Sequence, residues 1–202
     1  MSAEVGLPTV VTPAAPRNTG YSLGWWGMVT LITTEAMVFL ALLSSYFFVR
    51  ASSSRWPQGG LPLPELTRST IFTVVLLSSS IPIFIAESAV RRGRMRLVAD
   101  ALLVSFLLGA AFLGNTIYDY THLEFSWKEN AYASLVIAIV GLHAIHVLIG
   151  LCLSGAVQLK VRLGRVSFDD HDSVDLFSLY WHFVDVVWIF VFSSLFISPY
   201  IR

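Results

Sequence analysis

Charged side chains are scarce in this sequence of 202 residues. Lysine, arginine, aspartate and glutamate together make up only 13% of it, whereas 55% of the residues are hydrophobic. A soluble domain carries about 25% charged residues, because its surface faces water. The excess of apolar side chains must therefore face another medium, and lipid is the simplest candidate.

Net charge and cysteine are also lacking, and each absence excludes a class of protein. The 13 basic and 13 acidic side chains cancel, so nothing indicates a nucleic-acid partner. The single cysteine, Cys152, cannot form an internal disulfide, and one thiol cannot build a metal cluster. Because Cys152 lies in an apolar run, we expect it to be a small buried hydrophobic residue.

We expect no signal peptide at the start of the sequence. Residues 1–22 contain one basic residue, three prolines and no long apolar run, and we expect them to form a short, poorly ordered tail. Residues 23–202 are expected to form one domain, because they contain no internal repeat and no stretch with the composition of a soluble domain.

Long apolar stretches are what the sequence has in abundance. A helix needs roughly 20 apolar residues to cross the hydrocarbon core of a membrane, and irregular backbone is not tolerated in lipid. The sequence therefore predicts an all-α polytopic membrane protein, a bundle of five transmembrane helices. The predicted spans are about 25–49, 70–90, 97–118, 131–158 and 175–198.

A proline interrupts the second predicted span. Pro82 cannot donate a backbone hydrogen bond, so it should bend the helix. Ser78, Ser79 and Ser80 come just before it, and we expect their hydroxyl groups to bond to the backbone carbonyl groups that the bend releases.

The basic residues predict the orientation of the bundle. Arg91, Arg92, Arg94 and Arg96 lie in the short turn after the second span. With Arg17 and three basic residues after the fourth span, this side has eight basic residues, against five on the other. Cytoplasmic loops are enriched in Lys and Arg, so the N-terminus is predicted inside and the C-terminus outside. The four arginines of the turn are also candidates for contact with lipid headgroups.

A few polar side chains fall inside the predicted spans, where each is costly and so indicates a purpose. Glu35 follows Trp25 by ten residues, which places it roughly 15 Å along the first helix, near mid-membrane. Since its own span supplies no cation, Glu35 should be protonated or paired across a helix interface. Trp181, Asp185 and Trp188 have the i, i+4, i+7 spacing of one helix face. The candidate residues are Glu35, His143, His146, Trp181, His182, Asp185 and Trp188.

The intramembrane histidines allow two interpretations. His143 and His146 are three residues apart, as are His182 and Asp185, so each pair shares a helix face. The simpler interpretation is that these side chains form interhelical hydrogen bonds, each worth roughly 0.6 kcal/mol on average. The alternative is a b-type cytochrome anchor, in which His143 or His146 faces His182 across a haem.

Several segments resemble a known family. Residues 180–188, YWHFVDVVW, look like the signature of the last helix of subunit III of haem-copper respiratory oxidases, the cytochrome c oxidase subunit III family. Residues 141–150 resemble that family's preceding helix, with both histidines in register. Residues 76–80, followed by a basic turn, fit an earlier helix pair, and Glu35 falls where the family has a buried glutamate. The resemblance covers about residues 23–198 and fits the short five-helix bacterial form.

The sequence departs from the family pattern at three places. Phe84 stands where many relatives have a histidine. Asp119, in the segment Tyr118-Asp119-Tyr120, and Asp175, just before the last signature, stand where the family has glutamate. The two acidic exchanges keep the charge, whereas Phe84 removes a polar group.

The resemblance implies a non-catalytic subunit of an oxidoreductase complex. In this family subunit III binds no haem and no copper, which belong to subunits I and II. It packs against subunit I, holds phospholipid, and supports proton uptake and the durability of the catalytic site. The complex reduces oxygen to water and pumps protons across the bacterial inner membrane. On this basis Glu35 and the histidines would have structural or supporting roles, and no catalytic, cofactor-binding or metal-binding residue is expected in this chain.

The partners expected from the resemblance are other membrane proteins. They are subunits I and II, a small subunit IV and a larger respiratory supercomplex, together with membrane lipid. A further alternative is an accessory protein of bacterial nitric oxide reductase, whose sequence resembles subunit III. The electron donor, cytochrome c or quinol, binds to other chains and leaves no signal in this sequence.

Overall fold

Helices make up all the regular structure that the computed structural model describes, which covers residues 22–61, 65–123, 125–167 and 170–201. Five helical segments in these ranges are long and apolar enough to cross a membrane. This confirms the predicted all-α bundle of five transmembrane helices. The predicted N-terminal tail, apart from Ser22, lies outside the described residues.

Within the described residues, six α-helices form the five spans, because the second span consists of two consecutive helices. They are α1 (Leu23–Ser52), α2 (Leu66–Ser78), α3 (Ser80–Val90), α4 (Met95–Thr121), α5 (Ala131–Arg162) and α6 (Asp172–Phe192). After α6 the chain continues through a π-helical turn, Ser193–Ile197, and a 3₁₀ turn, Ser198–Tyr200.

Most helices extend a few residues past the predicted spans. Hydropathy detects only the part of a helix that fits the hydrocarbon core, whereas the helix itself ends where its backbone groups find other partners. Ser22 caps α1 by accepting a hydrogen bond from the N–H of Trp25 at 3.3 Å. Asn130 caps α5 in the same way through the N–H of Ala133 at 2.8 Å.

The second span is interrupted at Ser79, three residues before Pro82. The N–H of Ser79 bonds to the carbonyl of Leu76 at 3.0 Å, which tightens the turn. The hydroxyl of Ser78 bonds to the carbonyl of Val75 at 2.7 Å, and not to the carbonyl of Ser78 that Pro82 leaves without a donor, so the prediction for the serines is wrong in its acceptor. The hydroxyl groups of Ser79 and Ser80 bond instead to side chains of α6.

Two sharp turns on one end of the bundle each contain a glycine with positive φ. Gly93, with φ of 68°, ends α3, and Gly164, with φ of 67°, ends α5. At Gly93 the N–H of Arg94 bonds back to the carbonyl of Ala89 at 3.0 Å, the hydrogen bond of a Schellman motif. Because the left-handed conformation costs glycine little, α3 and α4 can reverse direction within four residues, Arg91 to Arg94.

Helix α6 lies in the interior of the bundle, and α1 lies at its edge. α6 packs against α1, α2, α3 and α5, whereas α1 packs mainly against α5 and α6. Arg50, near the end of α1, donates to the carbonyl oxygens of Ser198 at 2.8 Å and Ile201 at 3.0 Å. The outer side of α1 exposes large apolar side chains such as Met37 and Phe48, as expected for a surface that faces lipid or another subunit.

The prediction that Cys152 is buried is wrong. Cys152 is exposed on α5, although its neighbour Leu151 is buried. Successive residues of a helix point in directions about 100° apart, since one turn takes 3.6 residues. An apolar run identifies the span but not which of its faces is turned inward, because lipid-facing positions are apolar too.

Candidate functional site

Glu35 of α1 is paired across a helix interface, with His146 of α5. The Oε2 atom of Glu35 lies 3.2 Å from Nε2 of His146. The other ring nitrogen of His146, Nδ1, lies 2.8 Å from the carbonyl oxygen of Leu142. A nitrogen facing a carbonyl oxygen must carry a proton, so Nε2 either accepts from a protonated Glu35 or, in an imidazolium, donates to its carboxylate. The pair carries no net charge in either case.

The pair lies where the edge of the bundle meets its interior. The side chain of His146 is 7% exposed, whereas that of Glu35 is 35% exposed. Phe39, one turn after Glu35, packs edge-on against the imidazole with 5.2 Å between ring centroids. Glu35 is therefore only partly covered by this chain, and its remaining surface faces lipid or a neighbouring subunit.

His143 is held by ring packing rather than by a hydrogen bond. It is 1% exposed, and its ring stacks on Trp188 with 4.6 Å between centroids. Phe112 of α4 packs edge-on at 5.9 Å. Neither ring nitrogen has a hydrogen-bond partner among the described residues. The expectation of an interhelical hydrogen bond is therefore wrong for His143, because aromatic rings of α4 and α6 pack against its imidazole.

Asp185 and His182 of α6 meet at one hydroxyl group of α3. The hydroxyl of Ser80 donates to Oδ2 of Asp185 and lies 3.3 Å from Nδ1 of His182. Phe84, one turn along α3, stacks on the imidazole with 4.5 Å between centroids. The aromatic ring that replaces the family's histidine at this position thus covers His182.

Trp181 fills a slot at the centre of the bundle. It is fully buried, and its indole N–H donates to the hydroxyl of Ser79 at 2.9 Å. Gly109 of α4 and Gly150 of α5 flank the indole. A Cβ atom at Gly109 would lie 2.6 Å from Cη2 of Trp181, and one at Gly150 would lie 2.7 Å from Cζ3. Only glycine lets both helices approach the indole this closely.

The three residues predicted to share one face of α6 are Trp181, Asp185 and Trp188, called the α6 stripe below. Each of them forms a side-chain hydrogen bond to the second span. Trp188 donates its indole N–H to Oγ1 of Thr73 at 3.0 Å. Together with the bonds of Trp181 and Asp185, this gives the stripe three side-chain hydrogen bonds to α2, α3 and the residue between them. Thr73, Gly109 and Gly150 were not among the predicted site residues. Small residues inside apolar spans, which often mark helix contacts, were the available signal.

The two aspartates that replace the family's glutamates each pair with an arginine. Asp119 lies 3.4 Å from Arg68, and Asp175 lies 3.7 Å from Arg91. Both pairs are partly exposed and lie near helix ends. The shorter side chains thus keep an ionic contact at opposite ends of the bundle. All four arginines of the α3–α4 turn, Arg91, Arg92, Arg94 and Arg96, are exposed.

A cavity of about 410 Å³ opens at the end of the bundle opposite the α3–α4 turn. Phe112, Trp188 and Phe196 form part of its apolar wall, and Arg68 and Asp119 lie on its polar side. An apolar interior with a few polar groups is the usual lining of a pocket for an amphipathic molecule.

The candidate histidines do not converge on one centre. His146 faces Glu35 of α1, His143 faces Trp188, and His182 faces Ser80 of α3. In the part of the chain that the structure describes, no group of three or more His, Cys, Asp or Glu side chains is arranged to hold a metal ion. The geometry favours interhelical contacts for these residues over bis-histidine ligation.

Comparison with known proteins gives a consistent result. The family model for cytochrome c oxidase subunit III matches residues 18–200. Similar relatives include the cytochrome c oxidase subunit 3 of Thermostichus vulcanus, 32% identical over 172 residues that cover 85% of each chain. The protein of the same name from a Synechocystis strain is 33% identical, covering 84% of this chain and 73% of its own. That of Alkalihalophilus pseudofirmus is 28% identical, covering 95% of this chain and 93% of its own.

Proposed function

We propose, on the premise that this chain belongs to the cytochrome c oxidase subunit III family, that it is the non-catalytic subunit III of a haem-copper terminal oxidase. The complex would reduce oxygen to water in aerobic electron transport and pump protons. Haem and copper would lie on subunits I and II, and this chain would pack directly on subunit I. A small subunit IV and a respiratory supercomplex are further proposed partners.

One observation carries the supporting role. Several polar side chains within the spans bond to other helices of the same chain, as in the Glu35–His146 pair and the bonds of Trp181 and Trp188 on α6. In lipid, helix association depends on such packing and hydrogen bonds, because burial of apolar surface supplies little driving force between helices. The arrangement favours a rigid bundle that supports a neighbour over one that binds and reacts with a substrate.

Support of proton uptake is proposed for Glu35. It is a carboxyl group deep in the membrane that is 35% exposed at the edge of the bundle. A group of this kind can hold a proton where a neighbouring subunit or lipid covers it. Its partner His146 keeps the site neutral in either proton arrangement, as the geometry of the imidazole requires.

Lipid binding is proposed at two places. Arg92, Arg94 and Arg96 are exposed on the α3–α4 turn, and each basic residue near an anionic membrane surface is worth about 1 kcal/mol of attraction. The cavity of about 410 Å³ at the other end offers an apolar wall for an acyl chain. The turn would lie on the cytoplasmic side of the bacterial inner membrane, with the N-terminus inside and the C-terminus outside.

Purification through a tag on this chain tests the proposal. We expect the chain to bring down a complex with the absorption spectrum of haem and with oxygen reductase activity, whereas the separated chain should show no haem spectrum. Removal of this chain from the complex should leave the initial rate of oxygen reduction unchanged. It should shorten the time over which this rate is sustained. Haem in the separated chain would refute the proposal, and turnover of nitric oxide instead of oxygen would favour the reductase alternative.

A further inference from the structure

A single hydroxyl group joins a buried acid to an imidazole in the middle of the bundle. Ser80 contacts Oδ2 of Asp185 and lies 3.3 Å from Nδ1 of His182. Asp185 is 5% exposed. We propose that Asp185, Ser80 and His182 form a proton relay, in which one proton is exchanged between the carboxyl group and the imidazole through the serine hydroxyl.

The relay has two arrangements with the same number of protons. In the first, a protonated Asp185 donates to Oγ of Ser80, and Ser80 donates to Nδ1 of His182. In the second, Ser80 donates to the carboxylate of Asp185, and Nδ1–H of a His182 imidazolium donates to Ser80. A hydroxyl group donates one hydrogen bond and accepts others, so it serves both arrangements.

The exchange balances in atoms and charge. The Oδ2–H bond of Asp185 breaks as a new Oγ–H bond forms on Ser80, while the original Oγ–H bond breaks and Nδ1–H forms on His182. A neutral acid and a neutral imidazole thereby become a carboxylate and an imidazolium. The net charge of the relay stays zero, which matters because an unpaired charge in an apolar interior is strongly unfavourable.

The surroundings favour the arrangement in which Asp185 is protonated. In the described ranges, no lysine or arginine forms an ion pair with Asp185, so the serine is left to stabilise a carboxylate. Glu87, farther along α3, is an acidic group that interacts electrostatically with His182. On the other helices that pack against α6, Glu35 and His146 are engaged with each other. The first arrangement therefore predominates, and the second is the route by which the proton leaves.

Ser80 is the link between the two groups in the described part of the chain. Oδ1 of Asp185 and Nε2 of His182 have no hydrogen-bond partner there. His182 is half-buried and Asp185 is buried. Phe84, which stacks on His182, is itself 58% exposed. The relay thus runs from the interior of the bundle towards its lateral surface, where Nε2 of the His182 imidazolium would pass its proton to water or to a polar group of a neighbouring subunit.

Hydrogen–deuterium exchange of the Asp185 carboxyl group, followed by infrared spectroscopy on the purified complex, tests the relay. We expect a C=O stretching band of a protonated carboxylic acid that disappears in Asp185→Asn. In Ser80→Ala this band should move to higher frequency, because a hydrogen bond is lost. Its exchange should also slow by about tenfold or more, a factor that corresponds to 1.4 kcal/mol in the exchange barrier. His182→Gln, which alters the acceptor, should slow exchange as well.

Ser78→Ala is the matched control. It removes the same hydroxyl group two residues away, where the hydroxyl bonds to the backbone of Val75 and not to α6. In Ser78→Ala, the frequency of the Asp185 C=O band and its exchange rate should equal those of the complex without substitutions. An intact haem spectrum shows that each variant has assembled. If Asp185→Asn does not assemble, the carboxylic acid band that shifts in Ser80→Ala but not in Ser78→Ala is assigned to Asp185 instead.

Two results would overturn the relay. One is the lack of a protonated carboxyl band assignable to Asp185. The other is an exchange rate in Ser80→Ala and His182→Gln equal to that of Ser78→Ala. The measurement does not depend on oxygen reduction. A negative result for the relay can therefore be distinguished from a negative result for the proposed supporting function.

Discussion

The slot around Trp181 predicts a large difference between two glycines of the same helix. In Gly109→Ala the new Cβ atom would lie 2.6 Å from Cη2 and 2.8 Å from Cζ2 of the indole. Trp181 is fully buried and hydrogen-bonded to Ser79, so it cannot move aside freely. Gly114, also in α4, has no neighbouring atom within 4 Å of the same added Cβ.

The expected energies follow from two opposing terms. Alanine is favoured over glycine in a helix by about 1 kcal/mol, and this term is common to both variants. Overpacking of a filled core costs about 1–3 kcal/mol and applies to Gly109→Ala alone. We therefore expect Gly114→Ala to be neutral or slightly stabilising. Gly109→Ala should be less stable than this control by about 2 kcal/mol, the middle of that range.

Thermal denaturation of the purified complex, read out as release of this chain, measures the difference. In a chain of this size about 2 kcal/mol corresponds to roughly 4–8 °C in midpoint temperature. Adding Trp181→Phe, whose ring is shorter than the indole, should remove the extra cost of Gly109→Ala, so that the double variant is more stable than the sum of the two single changes predicts. Two results would refute the claim that Trp181 leaves no room for a side chain at position 109. One is an equal midpoint temperature for the two glycine variants, and the other is a double variant whose loss of stability equals the sum of the two single losses.

Three further predictions concern topology, histidines and Glu35. In a variant without Cys152, a cysteine at Gly93 should be shielded from impermeant thiol reagents in intact cells and one at Gly59 labelled; equal labelling would overturn the orientation. His143→Ala and His146→Ala should lower the thermal stability of the complex and leave its haem content unchanged, because only packing and interhelical contacts are lost; loss of one haem equivalent would restore the cytochrome anchor. A hydrophobic carbodiimide should label Glu35 in preference to the exposed Glu65 and Glu129, since it reacts with protonated carboxyl groups in apolar sites; labelling of the loop glutamates alone would contradict a protonated Glu35. Glu35→Gln should keep the haem spectrum and initial oxygen reduction and shorten sustained turnover; an immediate loss of activity in a fully assembled complex would assign Glu35 a direct catalytic role.

The spans were predictable because their signal is a sum over many residues. Twenty apolar side chains in succession have few explanations other than a membrane. Which face of each helix turns inward was harder to predict, as the exposed position of Cys152 shows. In a soluble protein, polarity separates inside from outside, whereas a helix in lipid is apolar on both sides, so the usual amphipathic pattern is weak.

The polar partners were predictable in part. Spacing alone placed Trp181, Asp185 and Trp188 on one face of α6, and a lone carboxyl group in the first span implied a partner across an interface. The identity of that partner depends on the depth and rotation of α5 relative to α1, and a sequence separation of 111 positions does not specify either. For the same reason the sequence did not distinguish His146, which meets a carboxyl group, from His143, which meets only aromatic rings.

The position of α1 at the edge of the bundle has a consequence for synthesis. α1 is synthesised before α5 and α6, yet these are the helices against which it mainly packs. Glu35 and His146 are separated by 111 positions, and at about 5–20 residues per second the ribosome needs roughly 5–20 s to add them. During that interval the carboxyl group of Glu35 has no imidazole to meet, so α1 holds an unpaired polar group within the membrane. Docking of α1 is then the step that closes the bundle.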